Sequence, residues 1–178
     1  MDKSVVLGLC GVARVGKTTT AELLKQRLKN QGHACVILAF AEPVKEIANY
    51  FGWDGKKDER GRKLLQQIGT DVGRNYNPSI WVDRWTQRAT SFMQQGISVL
   101  TDDVRFQNEI HAIRSVGGLC LRLHPGCREI DGLVGELSGH KSEQPDQLHT
   151  DGVVNAEQTP DKVCDDILAV LENWYAKA

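Results

Sequence analysis

One stretch near the start of the chain constrains the possible folds more than any other. Residues 11–18 read Gly-Val-Ala-Arg-Val-Gly-Lys-Thr, which matches the phosphate-binding pattern Gly-x-x-x-x-Gly-Lys-Thr. The apolar run at residues 5–10 is typical of a buried strand, and Ala21, Leu24 and Leu28 recur after the motif at helical spacing. A strand, a glycine turn and a helix in this order predict a P-loop, and therefore a site for a nucleoside triphosphate.

Each part of this pattern has a chemical role. Its glycines let the backbone curl so that successive N–H groups point at phosphate oxygens, beside a helix N-terminus that attracts anions. We expect Lys17 to reach the β- and γ-phosphates of ATP or GTP, and the Thr18 hydroxyl to ligate Mg²⁺. The residues predicted to hold the triphosphate are Gly11, Ala13, Arg14, Val15, Gly16, Lys17, Thr18 and Thr19.

The composition argues against several other classes of protein. The chain has 178 residues, of which 40% are hydrophobic and 25% are charged, as in an ordinary globular domain. A net charge of −1 argues against a broad nucleic-acid interface, which usually needs a basic face. The sequence contains neither an apolar run of the roughly 20 residues that span a membrane nor a signal peptide at its start. We therefore expect one cytoplasmic domain that binds neither nucleic acid nor membrane.

Hydrophobic periodicity divides the rest of the chain into strands and helices. Further strands are predicted at residues 34–40, 97–106, 119–123 and 151–155, and residues 52–62 are predicted to form a mobile connection. Three predicted helices carry the apolar stripes Leu64, Leu65, Ile68 and Val72, then Trp81, Trp85, Ala89 and Phe92, then Val163, Ile167, Val170, Leu171 and Trp174. The tryptophan stripe is interpreted as core or as the face of a homodimer. This order fits a parallel sheet with helices on both faces.

Two further segments suggest catalytic parts. The third predicted strand ends in Asp102 and Asp103, and an acid at the end of a strand beside a P-loop is typical of a Walker B site for Mg²⁺. Residues 125–147 are rich in glycine, proline and charges of both signs, which predicts a lid. A lid serves phosphoryl transfer because it excludes water from the donor.

The reaction class follows from what accompanies the P-loop. A GTPase switch would be expected to carry Asn-Lys-x-Asp, which is not in this sequence, and ATPase motors commonly end the Walker B strand in Asp-Glu rather than Asp-Asp. A small-molecule kinase instead needs cations around the acceptor phosphate. Near predicted strand ends or loops, the chain offers Lys45, Arg74, Arg105, Arg122 and Arg128.

Four segments besides the P-loop carry a resemblance to a known family. Residues 40–45 read Phe-Ala-Glu-Pro-Val-Lys, and residues 65–70 read Leu-Gln-Gln-Ile-Gly-Thr, followed by Arg74 and Trp81. Residues 101–109 read Thr-Asp-Asp-Val-Arg-Phe-Gln-Asn-Glu, and residues 140–143 read His-Lys-Ser-Glu. These segments resemble the bacteriophage deoxynucleoside monophosphate kinases, a branch of the P-loop nucleoside monophosphate kinase fold.

The resemblance implies a fold and a reaction. The fold is an α/β P-loop kinase domain over residues 1–178, with three layers (α/β/α), a parallel sheet of five strands, a helical monophosphate-binding region at about 41–95 and a lid at about 125–147. The reaction is transfer of the γ-phosphate of ATP, with Mg²⁺, to a deoxynucleoside 5′-monophosphate. The partners are small-molecule nucleotides, and the location is the host cytoplasm if a phage encodes the chain.

The same resemblance implies roles for individual residues. It selects Asp103 as the strand-end acid that, with Thr18, serves the metal. The implied catalytic residues are Lys17, Asp103, Arg105 and Arg128. The residues implied to bind the acceptor nucleotide are Lys45, Asp71, Arg74, Trp81 and Arg105. Asn155 begins the loop that is expected to hold the adenine of ATP.

Two alternatives stay open at this stage. A dephospho-CoA kinase-like enzyme shares the P-loop, the helical region and the lid, but it phosphorylates a ribose hydroxyl and favours a carboxylate base, for which Asp71 or Asp103 is available. A P-loop protein without catalytic activity could instead bind nucleotide to regulate a partner. The response of ADP release to different acceptors distinguishes these cases.

Overall fold

A sheet of five parallel strands forms the centre of the computed structural model, which describes residues 4–127 and 147–176. In chain order the strands are β1 (Val6–Cys10), β2 (Cys35–Ile37), β3 (Ser98–Val104), β4 (Leu119–His124) and β5 (Gly152–Asn155). Their order across the sheet is β2-β3-β1-β4-β5. The parallel sheet predicted from the sequence is confirmed, with β2 and β3 shorter than predicted.

Helices cover both faces of this sheet. They are α1 (Lys17–Asn30), α2 (Glu42–Tyr50), α3 (Glu59–Gln66), a π-helix (Gln67–Arg74), α4 (Ile80–Gln94), α5 (Gln107–Ser115) and α6 (Pro160–Tyr175). One buried cluster joins the sheet to α1 and α6, and a second joins it to α4 and α5. The three-layer arrangement is therefore confirmed. In the part of the chain that the structure describes, no helix is long and apolar enough to cross a membrane.

The middle strand, β1, determines where the P-loop lies. All five of its residues are buried, and it pairs with β3 on one side and β4 on the other. Leu7 and Leu9 belong to one core cluster and Val6 and Cys10 to the other, as the alternation of side chains along a strand requires. A strand that is buried on both faces is apolar throughout, and Gly11 follows it at the carboxyl edge of the sheet.

The prediction of a mobile connection over residues 52–62 is wrong for its last four residues, because α3 begins at Glu59. The Asp58 side chain caps this helix by accepting a hydrogen bond from the Gly61 N–H at 2.8 Å. Before the helix, the Trp53 indole N–H donates to the Lys56 carbonyl at 2.9 Å, and Gly61 packs against the same carbonyl. Local side-chain bonds therefore give this polar segment a defined shape.

The single helix predicted through residues 64–72 is an α-helix followed by a π-helix. A π-helix has a wider turn than an α-helix, so the 3.6-residue pattern no longer identifies the buried face. Val72, predicted to be buried, is 67% exposed, while Gly69 and Gly73 lie inside. The Trp81 indole of α4 packs on Gly73 and donates to the Gly69 carbonyl at 2.8 Å.

The stripes of α4 and α6 are partly as predicted. Trp81 and Trp85 are 4% and 2% exposed, so the core interpretation is confirmed. The Trp85 ring stacks on Phe40 with the centroids 4.7 Å apart. On α6, Val170 and Trp174 are exposed instead of buried, because the covered face is narrower than the predicted stripe. Its buried residues are Val163, Cys164, Ile167 and Leu171.

The close packing of Gly73 against Trp81 predicts opposite effects for two alanine substitutions in the π-helix. A Cβ on Gly73 would lie 2.5 Å from Trp81 Cζ2 and 2.9 Å from the Ile68 carbonyl oxygen, whereas a Cβ on Gly69 would meet Val44 at an ordinary 3.5 Å. Gly73→Ala should lower the free energy of unfolding by about 1–3 kcal/mol. Gly69→Ala should leave it unchanged or raise it by up to about 1 kcal/mol.

Urea unfolding followed by circular dichroism measures both variants. Equal destabilisation by the two substitutions would contradict the packing described for Gly73.

Candidate active site

The P-loop curls over the carboxyl end of β1 through three residues with left-handed backbone. Gly11 and Gly16 have φ of 141° and 109°, and Arg14 has φ of 63°. A Cβ on Gly11 would lie 2.6 Å from the carbonyl oxygen of Leu123, so the loop passes β4 too closely for any larger residue. The glycines required by the phosphate-binding pattern are therefore required by this backbone as well.

The N-terminus of α1 is arranged to receive an anion. Gly16 is its N-cap residue, no side chain caps it, and its first turn contains no acidic residue. The positive end of the helix dipole therefore faces the loop without a competing carboxylate. The Lys17 ammonium donates to the carbonyls of Gly11 and Val12 at 2.7 and 2.8 Å, which holds it across the mouth of the loop.

The strand-end acid that meets the P-loop helix is Asp102. The Thr18 hydroxyl donates to a carboxylate oxygen of Asp102 at 2.6 Å. The carboxylate oxygens of Asp103 accept the N–H groups of Phe40 and Ala41 at 3.0 and 2.9 Å. Consecutive residues of a strand point to opposite faces, so only one of the two acids can turn toward α1.

The resemblance selects Asp103 to serve the metal with Thr18, whereas in this structure the acid that bonds to Thr18 is Asp102. Burial raises the pKa of the Asp103 carboxyl above its ordinary value, against the lowering effect of the Ala41 and Phe40 N–H groups. The hydroxyl of Thr18 and the carboxylate of Asp102 are the hard oxygen ligands that Mg²⁺ prefers, and Mg²⁺ usually completes its shell with waters and phosphate oxygens. This pair of donors fits Mg²⁺.

Cations gather beside these acids. Lys45 lies in the first turn of α2, and the exposed Arg105 follows β3. Lys57, in the segment before α3, interacts electrostatically with both of them and with Asp102 and Asp103. Partial burial lowers the pKa of the Lys57 ammonium, and the charges of Lys45 and Arg105 lower it further. The carboxyl edge of the sheet therefore combines two acids with three basic residues.

Arg74 approaches the same edge from the π-helix. Its guanidinium forms an ion pair with Glu109 of α5 and lies over the Phe106 ring, 4.0 Å from the centroid. Glu109 is 2% exposed and also accepts the N–H groups of Arg105 and Phe106 at 2.6 and 3.0 Å. Burial raises the pKa of Glu109 to about 7, although Arg74 opposes the shift.

The remaining predicted site residues lie in different surroundings. Trp81 is a buried packing residue, and Asp71 is exposed on the π-helix. Asn155 ends β5 at the exposed edge, where its side chain accepts the N–H of Glu157 at 2.9 Å. Arg128 and most of the predicted lid, residues 128–146, lie outside the described residues.

Sequence reasoning missed two residues of this site. Lys57 lies in a polar segment without periodicity, so no pattern identifies it. Glu109 could have been found, because Glu at the third position of a helix is a capping signal and α5 begins two residues earlier, at Gln107. Its pairing with Arg74 joins residues 35 positions apart and has no local signal.

Comparison with known proteins places this geometry in a family. A protein of Acanthamoeba polyphaga mimivirus, whose name gives it provisionally as a deoxynucleotide monophosphate kinase, is 30% identical over 155 residues. The match covers 71% of this chain and 78% of the viral protein. No protein-family model matches the chain.

Solved structures show the same fold at low sequence identity. The APS kinase of Mycobacterium tuberculosis, solved in complex with AMPPNP and APS, is 13% identical with a TM-score of 0.57, and the match covers 97% of this chain and 99% of that one. The shikimate kinase of Aquifex aeolicus is 16% identical with a TM-score of 0.52, and the match covers 98% and 100%. These likenesses support the P-loop kinase fold.

Because the two strand-end acids have different partners, replacing each by asparagine should have a different effect on stability and on Mg²⁺ dependence. Asp103→Asn keeps only one oxygen for the two N–H groups of Phe40 and Ala41, so it should lower the free energy of unfolding by about 1–3 kcal/mol. Asp102→Asn should leave stability within about 0.5 kcal/mol of the parent. It should instead raise the Mg²⁺ concentration needed for half-maximal ATP binding.

Urea unfolding and calorimetric titration with ATP at several Mg²⁺ concentrations separate the two effects. A shift in Mg²⁺ dependence confined to Asp103→Asn would return the metal role to Asp103.

Proposed function

This chain belongs to the deoxynucleotide monophosphate kinase family, and we propose that it transfers the γ-phosphate of ATP to a deoxynucleoside 5′-monophosphate, giving the diphosphate and ADP. Kinase activity follows from the family and accords with the P-loop kinase fold. The deoxynucleotide acceptor is our inference from the segments at residues 40–45 and 101–109 and from the name of the viral relative.

One observation carries this proposal: the Thr18 and Asp102 oxygens lie beside a group of cations at the same edge of the sheet. In phosphoryl transfer negative charge spreads over the oxygens of the moving group, and fixed positive charges stabilise it. Positioning two anionic substrates against such charges accounts for most of the catalysis expected here.

The donor side consists of the P-loop and the start of α1. The loop N–H groups and the α1 N-terminus would receive the phosphates of ATP, and the Lys17 ammonium would exchange the carbonyls of Gly11 and Val12 for phosphate oxygens. Thr18 and Asp102 would hold Mg²⁺, which when bound neutralises charge on the donor phosphates. Asn155 is proposed at the adenine.

The acceptor side consists of residues from the helical region and from the end of β3. Lys45, Lys57, Arg74 and Arg105 are proposed to bind the phosphate of the monophosphate, and Arg128 of the predicted lid is proposed to add charge in the transition state. For Asp71 and Trp81, the proposed role in binding the acceptor comes from the resemblance alone. The Trp81 role would be indirect, because the side chain is 4% exposed.

A monophosphate acceptor needs no general base, because its attacking oxygen is already anionic. A kinase that phosphorylates a ribose hydroxyl, such as a dephospho-CoA kinase, favours a carboxylate free to take the proton. Asp103, one of the two carboxylates available for that role, already accepts two backbone N–H groups. This arrangement favours the monophosphate.

ADP release with MgATP, measured against a panel of acceptors, tests the proposed function. The panel contains dAMP, dGMP, dCMP, dTMP, the matching ribonucleotides and dephospho-CoA. At least one deoxynucleotide should stimulate ADP release strongly. Lys17→Ala should abolish the stimulation, because it removes the charge that reaches the transferred phosphate, while its thermal unfolding stays that of the parent.

Other outcomes of the panel have definite meanings. Stimulation by dephospho-CoA alone would contradict the deoxynucleotide acceptor. Binding of ATP without stimulation by any acceptor would favour a regulatory nucleotide-binding role.

Two adjacent lysines provide a matched test of the acceptor side. Lys57→Gln should raise the KM for the acceptor at least about fivefold, the scale of one charged contact to a phosphate, and leave the KM for MgATP unchanged. Lys56→Gln is the control, since Lys56 is largely exposed and pairs with Asp54 at 3.3 Å. Equal effects of the two substitutions would remove Lys57 from the site.

A further inference from the structure

We propose that Glu109 is a positioning residue, which sets the Arg74 guanidinium and the backbone of Arg105 against the acceptor phosphate. This proposal rests on the proposed function, since it assigns those two arginines to the acceptor. Glu109 itself would not touch the substrate. It would act through the two segments that it joins, the end of the π-helix and the turn between β3 and α5.

The contacts of Glu109 divide between its two carboxylate oxygens. Oε1 receives the Arg74 guanidinium, and Oε2 accepts the backbone N–H groups of Arg105 and Phe106. One buried carboxylate therefore fixes both the entry of the chain into α5 and a side chain from 35 residues earlier. A displacement of Glu109 would move both arginines together.

Helix capping alone does not account for this arrangement. A glutamate at the third helical position can cap from the surface, whereas Glu109 is 2% exposed and its partner Arg74 has a side chain that is 12% exposed. Buried ion pairs give little net stability, because desolvation offsets their attraction, and apolar replacements are often as stable. Since such a pair is not expected to be kept for stability alone, its place next to a proposed phosphate site is better explained by positioning.

Arg74 is held in a way that leaves it able to bind an anion. Its guanidinium carbon lies 4.0 Å from the centroid of the Phe106 ring, and among the described residues one of its N–H groups is bonded, to Glu109. Guanidinium presents its five N–H donors in one plane and binds phosphate oxygens in pairs. Glu109 and Phe106 together hold the guanidinium in place, so the acceptor would meet a positioned donor group.

The charge of Glu109 changes near neutral pH, which gives the proposal a second observable. Its carboxyl faces Arg74 of the π-helix, Asp103 of β3 and the N–H groups of Arg105 and Phe106, and burial sets its pKa at about 7. Above pH 7 the carboxylate is ionised and pairs with Arg74, and below it the pair weakens. We therefore expect the KM for the acceptor to rise as pH falls from 8 to 6.

Steady-state kinetics of four proteins test this proposal: the parent, Glu109→Gln, Arg74→Gln and the double variant, with Asp165→Asn as control. Asp165→Asn makes the same carboxylate-to-amide change in an exposed ion pair with Arg27, between α1 and α6. The acceptor is whichever deoxynucleotide the parent phosphorylates fastest, and thermal unfolding is followed for each protein.

Glu109→Gln should raise the KM for the acceptor about 10- to 100-fold, the range that corresponds to one charge-assisted hydrogen bond, and leave the KM for MgATP within about twofold. The double variant should be no worse than Arg74→Gln, because the two residues act as one unit. The parent should show a steeper rise of KM toward pH 6 than Glu109→Gln. The acceptor phosphate itself titrates near pH 6 and affects both proteins alike.

Each of the following results would overturn the proposal. An unchanged KM for the acceptor in Glu109→Gln, with an active parent, overturns the role of Glu109 alone. If the increases in the acceptor KM of the two single variants multiply in the double variant, Glu109 and Arg74 act independently, and Glu109 does not act through Arg74. A parent that no deoxynucleotide stimulates overturns the proposed function, and the role of Glu109 with it. If Glu109→Gln does not fold, the KM of Arg74→Gln for the acceptor and the pH profile of the parent replace it as the test. An unchanged KM in Arg74→Gln, together with a parent KM that does not rise toward pH 6 beyond the titration of the acceptor phosphate, would overturn the proposal.

Discussion

The parallel pairing of β1 with β3 is the constraint on which the rest of this site depends. It joins Val6 to Val99 and Cys10 to Val104, so the P-loop after one strand lies beside the acids that end the other. Since both strands run in the same direction, the proposed phosphate site and the acids proposed for the metal meet without any long loop between them. The hydrogen bond from the Thr18 hydroxyl to Asp102 then connects the start of α1 to the end of β3.

Long-range side-chain bonds then attach the helical region, which carries the proposed acceptor side, to the same edge. Asp103 holds the start of α2 through the Phe40 and Ala41 N–H groups, and the Trp85 indole donates to the Leu38 carbonyl and the Thr101 hydroxyl of β3. Each bond reaches across dozens of residues or between neighbouring elements. The helical region is therefore fixed to the sheet at several points, and its cations keep a defined position relative to Thr18 and Asp102.

The sequence predicts the parts of this molecule that depend on local patterns. Buried strands are continuous apolar runs and the P-loop is a contiguous motif, so the parallel sheet, the order of its elements along the chain and the position of the P-loop could be predicted. Which of Asp102 and Asp103 bonds to Thr18 could not be predicted, because adjacent acids on a strand differ only in the face to which they point. The π-helix could not be predicted either, since its wider turn breaks the 3.6-residue period and leaves Val72 exposed. The roles proposed for Lys57 and Glu109 depend on contacts that only the folded chain makes.

The two tryptophans of α4 provide an intrinsic fluorescence probe of this protein. The Trp81 indole bonds to the π-helix at Gly69, while the Trp85 indole bonds to the carboxyl end of β2 and stacks on Phe40. One helix thus carries two chromophores, one reporting on the helical region and the other on the sheet. With Trp53 and Trp174 replaced by phenylalanine, all tryptophan emission would come from this one helix, so a change in it would report a movement of the helical region without any attached label.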